Sequence, residues 1–85
     1  MRKPVFTPEA WEDFTEWARD DLKIVRKIIE LLDDETQTPF TGIGKPEPLE
    51  YNLRGCWSRR ITQEHRLVYE VTDETIVVLA CKYHY

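Results

Sequence analysis

The chain is short of the residues that staple a small protein or load it with a cofactor. Among 85 residues there are two cysteines, Cys56 and Cys81, and two histidines, His65 and His84. Both cysteines sit in strand-like apolar runs, which reads as buried free thiols rather than a disulfide framework. Cys81-x-x-His84 is the one close Cys/His pair, whereas structural zinc sites bring two tight pairs, so neither a metal nor a cofactor is expected. No apolar run nears the roughly 18 residues that span a bilayer. The start, Met1 to Phe6, lacks the long apolar stretch of a secretory signal. Repeats and low-complexity segments are also missing. These absences point to one cytoplasmic domain, residues 1–85, with no membrane partner.

Cations are scarce too. The net charge is −4, which argues against a general nucleic-acid binder. The acid is unevenly placed, however. Residues 1–36 carry ten acids and six bases, while residues 37–85 carry six of each. Between 41 and 66 five bases (Lys45, Arg54, Arg59, Arg60, Arg66) outnumber three acids (Glu47, Glu50, Glu64), so a local basic site is compatible with an acidic chain.

What is present is a clear order of elements. Val5-Phe6 is a short edge strand between prolines. Thr7-Pro8-Glu9 is a helix start, with a hydroxyl cap, proline in the first turn and acid at the positive dipole end. Trp11, Phe14, Trp17 and Ala18 follow at helical spacing to about Arg19. Asp20 or Asp21 caps a second helix, whose stripe Leu22, Val25, Ile28, Ile29, Leu32 runs to about Asp34-Glu35. The segment 38–48, TPFTGIGKPEP, is an ordered loop in which Phe40 and Ile43 can act as anchors. Leu49 to Leu53 alternates as a strand. Trp57 to Tyr69, WSRRITQEHRLVY, is a hairpin around Thr62-Gln63-Glu64-His65, and Ile76 to Tyr85 is a last strand. Helices first and a meander after define an α+β domain: two N-terminal helices packed on a mostly antiparallel sheet.

Alternation along strands assigns faces. Trp57, Arg59 and Ile61 share one side of the first hairpin strand, and Arg60 lies on the other with Cys56 and Ser58. Leu67, Tyr69 and Val71 are apolar opposite Arg66. In the last strand Val77, Leu79, Cys81, Tyr83 and Tyr85 form the better core face, which leaves Lys82 and His84 on the side of Arg60 and Arg66. Forked guanidinium donors match phosphate. Glu47, between two prolines, is the one carboxylate of the loop. Carboxylate, arginine and imidazole are together the parts that cleave RNA without a metal: a base for the 2′-OH, a cation for the charge gathering on phosphorus, and an acid for the 5′-oxygen. Spacing does not show that they converge; solvated side chains are the plain alternative.

The runs GKPEPL (Gly44–Leu49) and WSRRIT-x-EHRLVY (Trp57–Tyr69), with the ending YHY, resemble the YoeB/Txe toxins of the RelE superfamily, and the likeness covers essentially the whole chain. It implies a RelE-like, microbial-ribonuclease-like fold and the toxin of a bacterial type II toxin–antitoxin pair, a ribosome-dependent endoribonuclease cutting mRNA in the A site. By that resemblance Glu47 is the general base, His84 the general acid, Arg66 the transition-state stabiliser, and Tyr85 orients or stacks on the substrate. Lys45, Arg59, Arg60, His65 and Lys82 are assigned to RNA or ribosomal RNA contact. The implied partners are a YefM/Phd-like antitoxin, the ribosome with its mRNA, and a second copy of the chain. Glu50 stands where members commonly carry lysine. A non-catalytic binding module on the same fold and a ribosome-independent ribonuclease are the competing readings.

Overall fold

Both helices begin on side-chain caps and close on backbone hydrogen bonds. The computed structural model describes residues 1–83; the expectations for His84 and Tyr85 lie outside the described residues. Helix α1 is Pro8–Asp20, and the Thr7 hydroxyl accepts a hydrogen bond from the Ala10 N–H at 3.1 Å. Asp21 ends α1 by donating its N–H to Trp17 O (2.7 Å). The same residue starts α2, Leu22–Gln37, by accepting from Lys23 N at 3.1 Å. That helix runs past the expected end near Glu35, closing where the Thr38 N–H meets Asp34 O at 2.8 Å.

Five strands form one sheet: β1 Lys3–Phe6, β2 Glu47–Pro48, β3 Cys56–Arg60, β4 Arg66–Val71 and β5 Thr75–Ala80. Their order is β1-β5-β4-β3-β2, with β1 parallel to β5 and every other pair antiparallel. This is the α+β architecture expected. Pro4 is accommodated because β1 is an edge strand, where a missing N–H leaves no ladder partner unmet. The helices cover one face and bury Ala10, Ile24, Ile28, Leu31 and Leu32 against Ile61, Leu67, Val78 and Cys81. A smaller cluster of Leu49, Cys56 and Val68, flanked by Leu53, Leu79 and Ala80, lies on the other side.

Three expectations are corrected. The strand expected over 49–53 is instead a 3-10 turn at Tyr51–Leu53, because Tyr51 adopts φ 60°, incompatible with an extended chain. Strand β5 stops at Ala80 rather than running to Tyr85. Beyond it α1 captures the backbone: Asp13 accepts the Cys81 N–H (3.1 Å) and the Trp17 indole donates to Cys81 O (2.9 Å). The core face of β5 is also the reverse of the alternation expected at its start. Ile76 and Val78 are fully buried, whereas Val77 and Leu79 are half-buried. The cause is a bulge. Val68 pairs with Ala80 but Tyr69 with Val78, so Leu79 is an extra residue and parity flips behind it. Val78 and Cys81, three apart, thereby both reach the core.

Candidate active site

Strand register assembles the site. Glu47 on β2 pairs with Ser58 on β3, and Arg60 on β3 pairs with Arg66 on β4. Paired residues of an antiparallel ladder project to the same side, as do residues two apart on one strand. Glu47, Ser58, Arg60 and Arg66 therefore share one face. The opposite face carries Arg59, Leu67 and Tyr69 and lies beneath the helices. Glu47 is exposed on edge strand β2, Arg60 is exposed, and Arg66 is only 7 % exposed.

The Arg66 guanidinium is held by its own turn. Its Nη1 donates to the carbonyls of Thr62 (2.7 Å), Gln63 (3.0 Å) and His65 (3.1 Å). Among the described residues all its side-chain hydrogen bonds run through that nitrogen, so the Nε–Nη2 edge keeps the paired donors that suit a phosphate. The turn is itself closed by the Thr62 hydroxyl, which accepts from the N–H groups of Glu64 and His65. Lys45 is exposed at φ 51° on the loop that leads to Glu47, and Arg60 N donates to Gly44 O (2.7 Å), tying that loop to β3.

Arg59 holds the rest of the loop, and its assignment to RNA contact is corrected. It is 0 % exposed. Its Nε donates to the Tyr69 hydroxyl (3.1 Å), Nη1 to Asp34 (2.5 Å) and Ile43 O (3.2 Å), and Nη2 to the carbonyls of Thr38 (2.7 Å) and Thr41 (2.9 Å). The Tyr69 hydroxyl in turn donates to Pro39 O at 2.8 Å, and Asp34 accepts the Ile43 N–H at 3.1 Å. The hydrogen bond from Arg59 holds the Asp34 carboxyl below its usual value, helped by the bond from Ile43 and opposed by burial. Gly42, at φ 122°, lies so near Asp34 that a Cβ there would fall on the carboxylate. One buried guanidinium thus pins residues 38–43, the stem of the loop carrying Lys45 and Glu47.

Glu35, next to Asp34, is wholly buried, and neither carboxylate oxygen has a partner. Burial pushes its pKa from 4.5 up to about 8; Arg59 pulls it down only in part, and Asp34 pushes the same way as burial. The folded protein therefore holds this proton more tightly than the unfolded chain. Below about pH 4.5 the group is neutral in both states and carries no penalty. Stability should fall as pH rises from there to about 8, by on the order of a few kcal/mol in all, and then level off. Glu35→Gln is expected to remove that slope and to be more stable than wild type at pH 8. Urea midpoints across pH 4–9 would check it; parallel curves for the two proteins would refute it.

His65 and Lys82 are also placed differently from expectation. The His65 ring packs edge-on against Trp17 (centroids 4.8 Å) and tilted against Tyr83 (5.7 Å), and its Nδ1 accepts the Tyr83 N–H at 2.8 Å. Lys82 turns to α1 rather than to the Arg60 side: its Nζ meets Glu16 at 3.4 Å and lies over the rings of Trp17 and Tyr83. Cys56 and Cys81 are buried free thiols, and burial pushes Cys81 up to about 12. Asp34 and Glu35 escaped the sequence reading. A signal was available: alternation put Arg59 on the core face, and a buried guanidinium needs a carboxylate close by.

Two helices on one face of this sheet, with a carboxylate and two arginines aligned on the other, define the class: a small α+β domain whose open sheet face carries a carboxylate–arginine site. A family model for the YoeB-like toxin of bacterial type II toxin–antitoxin systems matches residues 6–85, and the chain belongs to that family. Toxin YoeB of Escherichia coli K12 is 55% identical over 83 residues, 98% of this chain and 99% of that protein. A YoeB dimer from Staphylococcus aureus superposes with a TM-score of 0.93 at 48% identity, covering 99% of this chain and 98% of that one. The YoeB–YefM complex of the same organism gives 0.91 at 46%, covering 100% and 99%.

Proposed function

We propose that this toxin is a ribosome-dependent endoribonuclease that cuts mRNA in the A site and stops translation in the cytoplasm. The observation that carries the reading is the register that puts Glu47, Arg60 and Arg66 on one sheet face. Glu47, as general base, takes the 2′-OH proton, and the freed oxygen attacks the adjacent phosphorus. Arg66 offers donors to the charge gathering on the phosphoryl oxygens, from a guanidinium already held by its turn. His84 protonates the departing 5′-oxygen, and Tyr85 orients the substrate beside it. Lys45 and Arg60 hold flanking phosphates as exposed cations of the same region. Acid–base chemistry at the 2′-OH needs no metal and no cofactor. Arg59 takes no part in contact with RNA, and its role is to fix the loop.

An acidic chain gains from delegating substrate capture to the ribosome. With a net charge of −4, few phosphate contacts are available for naked RNA. Family membership supports a cognate YefM/Phd-like antitoxin, which would neutralise the toxin by covering the Arg60–Arg66 face, and a second copy of the chain as a further partner. The deciding assay compares a defined mRNA alone with the same mRNA on purified programmed ribosomes. Cleavage is expected only with ribosomes. Equal cleavage of naked RNA at nanomolar protein would favour a free ribonuclease, and binding without cleavage would favour a non-catalytic module.

A further inference from the structure

We propose that His65 is a positioning residue: its Nδ1 holds Tyr83, and so sets where the chain delivers the next residue, His84. The kinetic part of this proposal rests on the function proposed above, whereas the hydrogen-bonding part stands without it.

The backbone of Tyr83 is gripped on both sides by the turn between β3 and β4. Its N–H donates to His65 Nδ1 at 2.8 Å, and its carbonyl accepts from Arg66 N at 3.1 Å. Tyr83 is at φ 64°, a left-handed conformation that a bulky residue adopts only when its surroundings impose it. Nothing in a terminal segment beyond a sheet would impose it unaided. Here the clamp does so, and it reaches back along the chain: the Trp17 indole donates to Cys81 O, Asp13 accepts the Cys81 N–H, and Lys82 is held at Glu16. The imidazole is in turn wedged edge-on against Trp17, which fixes the ring plane. Accepting at Nδ1 places the ring proton on Nε2 when the imidazole is neutral.

The carbonyl carbon of Tyr83 is bonded to the nitrogen of His84. Holding both hydrogen-bonding groups of Tyr83 in a left-handed turn constrains the residue from which His84 follows. The same turn also supplies all three carbonyls that hold Arg66 Nη1, one of them that of His65. One four-residue turn therefore orients the transition-state arginine through its carbonyls and the approach to the general acid through its histidine. A proton donor displaced by an ångström transfers poorly, so such a residue acts on the rate without touching RNA.

The test compares His65→Ala, His65→Asn and His65→Gln on programmed ribosomes. Asparagine carries its carbonyl oxygen on Cγ, where imidazole carries Nδ1; glutamine places it one atom further out. His65→Ala should lose roughly 10- to 100-fold in kcat with KM within about twofold. His65→Asn should recover most of that rate, and His65→Gln should not. A raised KM at unchanged kcat would make His65 an RNA contact and overturn the proposal. Equal loss in Ala and Asn variants would also overturn it, reducing the ring to packing. Amide hydrogen exchange at Tyr83 and the imidazole resonances of His84 give a readout independent of cleavage. Exchange should quicken and the resonances shift in His65→Ala but not in His65→Asn. If wild type proves inactive while those signals behave as expected, the nuclease reading fails and the clamp stands. Unchanged signals in His65→Ala sink the clamp itself.

Discussion

Arg59→Ala should lower the unfolding free energy by about 3–5 kcal/mol, the upper end for a single substitution, because it breaks a hydrogen-bond network centred on a fully buried side chain. A domain of this length has on the order of 4–13 kcal/mol in total, so the variant should be partly unfolded at 37 °C. The loss is large because the guanidinium serves five acceptors at once: Asp34, the Tyr69 hydroxyl, and the carbonyls of Thr38, Thr41 and Ile43. Removing it empties a fully buried site beside the buried Tyr69 hydroxyl and unties the loop carbonyls from the sheet. Arg59→Lys should recover little, since an ammonium cannot present a planar fork to both the loop carbonyls and Tyr69. Urea denaturation reads the effect directly, and a midpoint shift worth under about 1 kcal/mol would show that the hub is dispensable. Asp34→Asn should cost less than Arg59→Ala, because it leaves four of the five acceptors served.

The second large effect is chemical. Glu47→Gln should slow ribosome-dependent cleavage roughly 100- to 10,000-fold, the span attached to a positioned general base. Arg66→Ala should lose about 100- to 1,000-fold, as for one preorganised donor to developing charge. Glu47 is exposed on a two-residue edge strand, so its amide variant should fold normally and bind ribosomes as wild type does. Arg66 differs, because its Nη1 closes the 62–65 turn; Arg66→Lys and a thermal melt separate lost chemistry from a loosened turn. The two losses should be far from additive, since both groups act in one step. Single-turnover cleavage of a programmed ribosome measures this. Glu47→Gln cutting within threefold of wild type would remove Glu47 from the mechanism.

Arg59 and Arg60 are neighbours of the same type with opposite fates, and strand parity separates them. Arg59 lies on the side of Leu67 and Tyr69, and Arg60 on that of Arg66. Motif resemblance alone treated both as contacts for RNA. What decided the matter was the carboxylate of Asp34, which the packing of α2 on the sheet brings to Arg59. The last strand shows the reverse limit. Alternation failed there because one extra residue, Leu79, flips every position after it, and bulges leave no mark in an apolar run such as Ile76–Ala80.

The sequence by itself determined the α+β class, the two capped helices, the β3–β4 hairpin and the family. Caps, helical spacing and strand alternation act over a few residues, and long motifs are specific in their own right. Only the tertiary structure decided which chemical groups face one another: that Glu47, Arg60 and Arg66 are in register, that Arg59 is a buried hub, and that His65 grips Tyr83. Those pairings join residues 6 to 25 positions apart, where the closing of loops and the packing of a helix on a sheet set the distance.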